Sequence, residues 1–288
     1  GTDDQSLVRV RSLFADGTPS SGVRAVSGSG SYAVFLMNDG SLYSVGVDAG
    51  IPIGHVGDGS DSSRNFLTPI EVSNVNQVST GDSHTMFIKS DGTLWGMGSN
   101  YLGQLGDGTT ENKPNPTQVT GVTDASYVSA GAVHTMFIKS DGTLWGMGRN
   151  SLRELGIENG GADIHSPTQI VASGVQSISS GTEYHSLFIK EDGSLWGMGR
   201  NGDYQLAGEN TAHVAPPRQI AASGVTAVTA GVRDTLFTQG DSLYVLGNDQ
   251  DGQCRCEWRE WRLIVHIGHY REGQFGDTDH WKRYGDKG

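Results

Sequence analysis

Ser90-Asp91-Gly92-Thr93-Leu94-Trp95-Gly96-Met97-Gly98 occurs a second time, unchanged, at Ser140 to Gly148, and a third time as Glu191-Asp192-Gly193-Ser194-Leu195-Trp196-Gly197-Met198-Gly199. Looser copies are Asn38-Asp39-Gly40-Ser41-Leu42-Tyr43-Ser44-Val45-Gly46 and Gly240-Asp241-Ser242-Leu243-Tyr244-Val245-Leu246-Gly247. Their leucines, Leu42, Leu94, Leu144, Leu195 and Leu243, are separated by steps of 52, 50, 51 and 48 residues. A unit that returns at this period marks a repeat architecture, in which each unit buries its apolar face only against its neighbours. Five units cover about residues 22 to 253.

One unit reads as four short strands. Tyr127-Val128-Ser129-Ala130 and His134-Thr135-Met136-Phe137-Ile138-Lys139 are β-prone runs parted by a turn at Gly131. Ser140-Asp141-Gly142-Thr143 reads as a tight hairpin, because Asp-Gly supplies the positive φ values of a two-residue turn. Leu144 to Gly148 is the third strand, and Pro167-Thr168-Gln169-Ile170-Val171, after a Gly-rich loop, the fourth. Pro is expected at that strand's first residue, where a missing N–H does least harm. Four short strands per unit with no helical period predict an all-β fold: a β-propeller of about five to six four-stranded blades with repeats of about 51 residues.

Composition agrees with many turns and little helix. Glycine contributes 43 of 288 residues and charged residues 18%. A coiled coil would be far richer in Ala, Glu, Lys, Leu and Arg, and collagen would place Gly at every third residue. The net charge of −12 argues against nucleic acid as a partner, since affinity for phosphates comes from Lys and Arg. No apolar run of membrane-spanning length occurs, so no membrane insertion is expected. Cys254 and Cys256 are too few and too close for a disulfide framework or a zinc site. The chain opens on Gly-Thr-Asp-Asp, without an initiator Met or a basic-then-apolar leader, which reads as a processed or excised piece.

Gly81-Asp82-Ser83-His84-Thr85, the Asp-Gly-Thr-Leu-Trp-Gly strand, Asn100-Tyr101-Leu102-Gly103-Gln104-Leu105-Gly106-Asp107-Gly108 and then Pro116-Thr117-Gln118-Val119 stand in register. Together they resemble the repeat of the regulator of chromosome condensation family, over about four-fifths of the chain. The resemblance implies a propeller, usually of seven blades. It implies function loosely, because such repeats serve in nucleotide exchange factors, ubiquitin-ligase scaffolds, chromatin readers and secreted inhibitors. The near-identity of the copies is similar to bacterial members and implies an extracellular or cell-surface setting.

The sequence is too short for seven blades, so closure of the ring is its main open point. Residues 1–253 are expected to form the propeller and residues 254–288 a degenerate partial blade or an unrelated tail. Ile267-Gly268-His269-Tyr270-Arg271-Glu272-Gly273-Gln274-Phe275-Gly276-Asp277 still aligns with Met97 to Asp107. A strand at Leu263 to Ile267 joining Leu7-Val8-Arg9-Val10 would complete a sixth blade; the alternative is an open array with exposed edges. The tail carries 7 Lys/Arg against 6 Asp/Glu and three of the six Trp, so the acidity lies in the propeller.

The units align the chain with itself and divide its positions into constant and varied. Strand alternation places the Asp-Gly hairpins on one face of the disc, and the turns before each His and the loops after each Gly-x-Gly on the other. The hairpin face is constant. The loop face varies, and its candidate partner-binding residues are Asp82, Tyr101, Leu102, Arg149, Arg153, Glu183, Tyr184, Asp203, Tyr204 and Arg233. Tyr and Arg are favoured anchors of interfaces, and loops on a rigid scaffold commonly carry binding. His84, His134 and His185 recur once per unit; three such imidazoles could converge on a metal, but a His repeated in every unit reads better as bonding the backbone of its own turn, so no metal and no cofactor are expected. Trp95, Trp145 and Trp196 read as packing between blades, with Met97, Met147 and Met198 as fillers. Asp58-Gly59-Ser60-Asp61, Asp107-Gly108-Thr109 and Asn248-Asp249-Gln250-Asp251-Gly252 lack the spacing of a calcium loop. No nucleophile elbow, phosphate loop or His-Glu-x-x-His motif occurs. The reading is a non-enzymatic protein-binding scaffold. Its alternatives are a guanine-nucleotide exchange factor, for which unit lengths of 48 to 52 leave no inserted hairpin, and a propeller-based hydrolase or lyase.

Overall fold

The computed structural model describes residues 22–29, 31–46, 57, 63–182, 184–209 and 211–247. The first blade holds β1 (Val23–Ser29), β2 (Tyr32–Met37), β3 (Leu42–Gly46) and β4 (Arg64–Ile70); the second, β5 (Val75–Thr80), β6 (His84–Lys89), β7 (Leu94–Gly98) and β8 (Lys113–Gln118). The third holds β9 (Ala125–Ala130), β10 (His134–Lys139), β11 (Leu144–Gly148) and β12 (Ile164–Val171); the fourth, β13 (Val175–Ser180), β14 (His185–Lys190), β15 (Leu195–Arg200) and β16 (His213–Ala221). The fifth has three described strands, β17 (Val225–Ala230), β18 (Asp234–Gln239) and β19 (Ser242–Gly247). Each sheet runs in chain order with antiparallel pairing, and no helix occurs among the described residues. The all-β repeat architecture is thus the one the sequence predicts. Proposed closure through Leu7–Val10 and Leu263–Ile267, and the tail from Cys254, lie outside the described residues.

Each apolar core lies between two blades. Val34, Leu36, Leu42 and Ile70 of the first blade pack with Val75, Phe87 and Met97 of the second, with Val78 and Trp95 at the margin. Met86, Ile88 and Leu94 then pack with Val128, Phe137 and Met147. Alternation along every strand therefore sends one set of side chains to the preceding blade and the other to the following one. Trp95, Trp145 and Trp196 stack on Phe87, Phe137 and Phe188 at 6.3, 6.4 and 6.2 Å and carry Lys89, Lys139 and Lys190 over their rings.

Two local features differ from the sequence reading. At the hairpins only the glycine is left-handed, with φ 80 at Gly92 and 77 at Gly142. Lys89 N–H bonds Thr93 O and Gly92 N–H bonds Lys89 O, which makes a three-residue loop with a glycine bulge in place of a two-residue turn. The neighbouring blade requires the glycine as well: a Cβ on Gly92 would lie 2.6 Å from Thr123 O. The second difference is that β12 begins at Ile164, so Pro167 lies inside a strand. That strand is outermost and the pairing slips between Gly146 and Gly148, so the ladder tolerates a residue without an N–H.

Candidate binding face

The turns and the loops share one end of the disc because they are bonded to each other. Ser99 N–H donates to Ser83 O, Arg149 N–H to Val133 O and Arg200 N–H to Tyr184 O, at 2.8 to 3.0 Å. Below them a buried asparagine holds each loop. Asn100 Oδ1 accepts from Leu105 N–H and its Nδ2 donates to Asp107 Oδ1 and Thr109 O. Asn150 accepts from Leu155 N–H and donates to Ile157 O and Asn159 Oδ1; Asn201 accepts from Leu206 N–H and donates to Glu209 O. Four residues later Gln104, Glu154 and Gln205 each accept a loop N–H, from Leu102, Leu152 and Asp203. The sequence reading assigned no role to these asparagines, although their constancy inside otherwise varied loops was the available signal.

On this frame the loops present different chemistry. Tyr101 and Tyr204 are exposed aromatics, Leu102 is half-buried, and Arg233 is exposed. Arg153 and Tyr204 adopt φ 68 and 62 at the position that Gly103, φ 78, occupies in the second blade. A side chain there is disfavoured by contact of its Cβ with the backbone. Tyr184 is also left-handed, φ 68, in a turn one residue longer than its counterparts. Glu183, the residue before it, lies outside the described residues. Arg149 and Tyr184 meet across two blades, with the guanidinium 4.2 Å from the ring centroid. Arg149 Nε donates to Ser151 Oγ at 2.7 Å and lies 3.1 Å from Glu154 Oε1. Burial pushes the enclosed Glu154 carboxyl up, against the backbone N–H groups and Arg149 that favour its charge. Asp203 pairs with Arg200 at 3.0 Å. Asp82 is tied to the first blade by Ser29, and burial pushes its carboxyl up.

The recurring histidines act between blades. His84 Nε2 lies 2.9 Å from Thr135 Oγ1, His134 Nε2 2.8 Å from Ser186 Oγ, and His185 Nε2 3.2 Å from Thr235 Oγ1. Thr135 donates its own proton to Gln104 O, so it accepts from His84 Nε2–H. In the first blade Tyr32 takes the same place and reaches Thr85 Oγ1 and His84 O. The expected bond to the backbone of the same turn is thus replaced by a latch onto the next blade. Burial pushes the His84 and His134 imidazoles down to about 3, leaving both neutral. Gly81 and Gly131 make room: a Cβ on either would fall 2.3 to 2.4 Å from the imidazole Cε1. Among the described residues no group of three or more His, Cys, Asp or Glu is placed to hold a metal ion.

Comparison with known proteins matches these units to a family model. The regulator of chromosome condensation (RCC1) repeat matches residues 91–138, and a second model of the same repeat matches 75–104, 125–152 and 175–205. The chain is an RCC1-type repeat propeller. Among similar proteins, the ultraviolet-B receptor UVR8 of Arabidopsis thaliana is 28% identical over 218 residues, which are 72% of this chain and 38% of the receptor. The same RCC1 fold appears in human WBSCR16, with TM-score 0.69 and 20% identity over 80% of this chain and 63% of that one. It appears again in Prp20p of Saccharomyces cerevisiae, a protein with binding properties to Gsp1p and histones, with TM-score 0.66 and 18% identity over 82% and 60%. The chain thus spans 38% of the receptor and 60 to 63% of the two solved structures, less than two-thirds of each.

Proposed function

We propose that this RCC1-type propeller is a non-enzymatic protein-binding scaffold that docks its partner on the loop face. The observation that carries this reading is the left-handed pair Arg153 and Tyr204. Where the second blade has Gly103, these units hold large side chains in a conformation that costs backbone energy, and such strain collects at functional positions. Exposed Tyr101 adds an aromatic anchor on the neighbouring loop. That Prp20p binds proteins is in keeping with a protein partner here. Arg149 has a lesser part than the exposed Tyr101 and Tyr204, because Glu154, Ser151 and Tyr184 already engage it. An exported setting belongs to the same proposal.

The test is a triple substitution, Tyr101→Ala, Arg153→Gly and Tyr204→Gly. Glycine suits φ near +65, so thermal stability should hold or rise slightly. Proteins captured by the wild-type chain from its own cells should be lost. Recovery of the same proteins by both would end the proposal.

A further inference from the structure

The dipeptide Asn-Gly occurs twice in the chain, at Asn159-Gly160 and Asn201-Gly202, and the two stand in opposite surroundings. Asn201 is fully buried; it accepts from Leu206 N–H and donates to Ala207 O and Glu209 O. Asn159 and Gly160 are exposed on the third-blade loop, and Gly160, at φ 78, has open space where a Cβ would stand.

The Asn159 carboxamide is held by the loop around it. Its Oδ1 accepts two N–H groups, from Asn150 Nδ2 at 2.8 Å and from Gly161 N–H at 3.2 Å, while its Nδ2 donates to Ala162 O at 2.8 Å. The Gly161 bond closes an Asx-turn, a ring that contains both the side-chain carbonyl carbon Cγ and the Gly160 nitrogen. Two donors on a carbonyl oxygen are the arrangement that stabilises negative charge when a nucleophile adds to its carbon. Beside this turn is a cation with an unused donor. Arg153 Nη1 is enclosed with no hydrogen-bond partner among the described residues, and it lies 3.4 Å from the point that a Cβ on Gly161 would occupy.

We infer that Asn159-Gly160 is a self-modification site, at which Asn159 is converted to a carboxylate that pairs with Arg153. The Gly160 nitrogen, giving its proton to a solvent base, bonds to Asn159 Cγ, and the negative charge on Oδ1 is held by Asn150 Nδ2 and Gly161 N–H. Nδ2 takes a proton and leaves as ammonia, which closes a succinimide. Water adds to one of the two carbonyl carbons and opens the ring to aspartate or isoaspartate; water enters, ammonia leaves, and nothing is oxidised or reduced. The fold accommodates a carboxylate at this level, since Asn100 Nδ2 donates to Asp107 Oδ1 in the second blade as Asn150 Nδ2 donates to Asn159 Oδ1 in the third. A carboxylate has no N–H for the Ala162 carbonyl and is repelled by it, which turns the new charge toward the Arg153 guanidinium. Asn201 is the internal control: among the described residues its Oδ1 has one donor, Leu206 N–H, and its burial keeps out the water that ring opening needs.

One consequence rests on the docking function proposed above: the pairing withdraws Arg153 from a partner. The modification itself does not rest on it, and its test needs no partner. The full chain is aged in mildly alkaline buffer, folded and in urea, and the peptides holding Asn159 and Asn201 are followed by mass spectrometry. In urea the two sites should convert at similar rates, since each is Asn followed by Gly. In the folded chain, conversion at 159 should be about ten-fold or more faster than at 201 and no slower than in urea. Similar folded rates at the two sites, or a rate at 159 that falls on folding, would overturn the inference. The pairing is read separately, from Asn159→Asp made in the wild-type and in the Arg153→Gly chain. That substitution should lower the midpoint of thermal unfolding by about 2 to 4 °C more without Arg153 than with it. Equal shifts in the two chains would overturn the pairing and the withdrawal of Arg153 with it. Neither failure touches the capture test of Tyr101, Arg153 and Tyr204, so the two proposals fall separately.

Discussion

At the hairpin end of the disc, blades are joined through backbone. Gly40, Gly92, Gly142 and Gly193 each offer a carbonyl to the first strand of the next blade, at Val75, Ala125, Val175 and Val225, at 2.9 to 3.0 Å. At the loop end they are joined through side chains, the His-to-hydroxyl latches, above which sit the loops on their buried asparagines. A backbone joint asks of the sequence only a left-handed glycine that clears the neighbour, so it recurs with little change. A side-chain joint lies deeper than the loop tips, so the tips are free to differ while the latch is kept. The difference separates a rim whose turns are fixed by the neighbouring blade from a rim whose loop tips are free to vary above a recurring joint.

The largest expected effect tests whether the loops depend on their asparagines. Asn150→Ala would strand the buried Leu155 N–H and the Ile157 carbonyl together, and should cost about 3 kcal/mol in chemical denaturation. A loss below about 1 kcal/mol would mean that the loop end is not built on this residue.

Acid should also separate the two ends. His84 and His134 have folded values near 3, below the ordinary value of 6.5. Their neutral burial stabilises fully above 6.5, and that contribution is lost as pH falls from 6.5 toward 3, because the unfolded chain takes up the protons first. Together the loss should be on the order of 2 to 3 kcal/mol between pH 7.5 and 5.5. At the hairpins, hydrogen bonds from Ser41, Thr93, Thr143 and Ser194 hold Asp39, Asp91, Asp141 and Asp192 below the usual carboxylate range. That contribution is present above the unfolded carboxylate value near 4 and is lost only below it. A denaturation series in His134→Gln should show a shallower slope from pH 7.5 down toward pH 3, with the carboxylate loss below pH 4 superimposed on it in both proteins.

The hairpin end was the more legible of the two in the sequence. Asp-Gly followed by Leu-Trp-Gly-Met-Gly is local, and local spacing is what a sequence displays. The latches were not legible in the same way, since His84 finds its partner 51 residues away in Thr135. The clue was a hydroxyl following each His, at Thr85, Thr135 and Ser186, and its loss at Ala33. Left-handed Arg153 and Tyr204 were hidden for a different reason: the residue that usually announces this conformation, glycine, is absent there and present only in the neighbouring unit.

A smaller effect is expected at the hairpins themselves. Thr143 Oγ1 donates to Asp141 and accepts from Trp145 Nε1. Thr143→Val keeps the shape and leaves the indole N–H without its acceptor, so thermal unfolding should register a loss of about 1 kcal/mol, with the fold retained.

The smallest effect probes how two loops solve one problem differently. In the second blade Gln104 Nε2 donates to Ser99 Oγ, and in the third Glu154 faces Arg149. The fourth blade combines the glutamine of one with the arginine of the other, and Gln205 Nε2 is buried with no hydrogen-bond partner. Arg200 at the position of Ser99 has no lone pair to offer it. Gln205→Glu would remove the stranded donor and place a carboxylate where Glu154 lies beside Arg149. Burying that carboxylate has a desolvation cost, as the raised Glu154 value shows, which offsets most of the gain. The net stabilisation at neutral pH should be about 0.5 kcal/mol and should vanish as acid protonates the new group. An equal gain at every pH would assign the benefit to loss of the unpaired amide alone, and would show that the arginine–carboxylate pairing of the third blade does not transfer between loops.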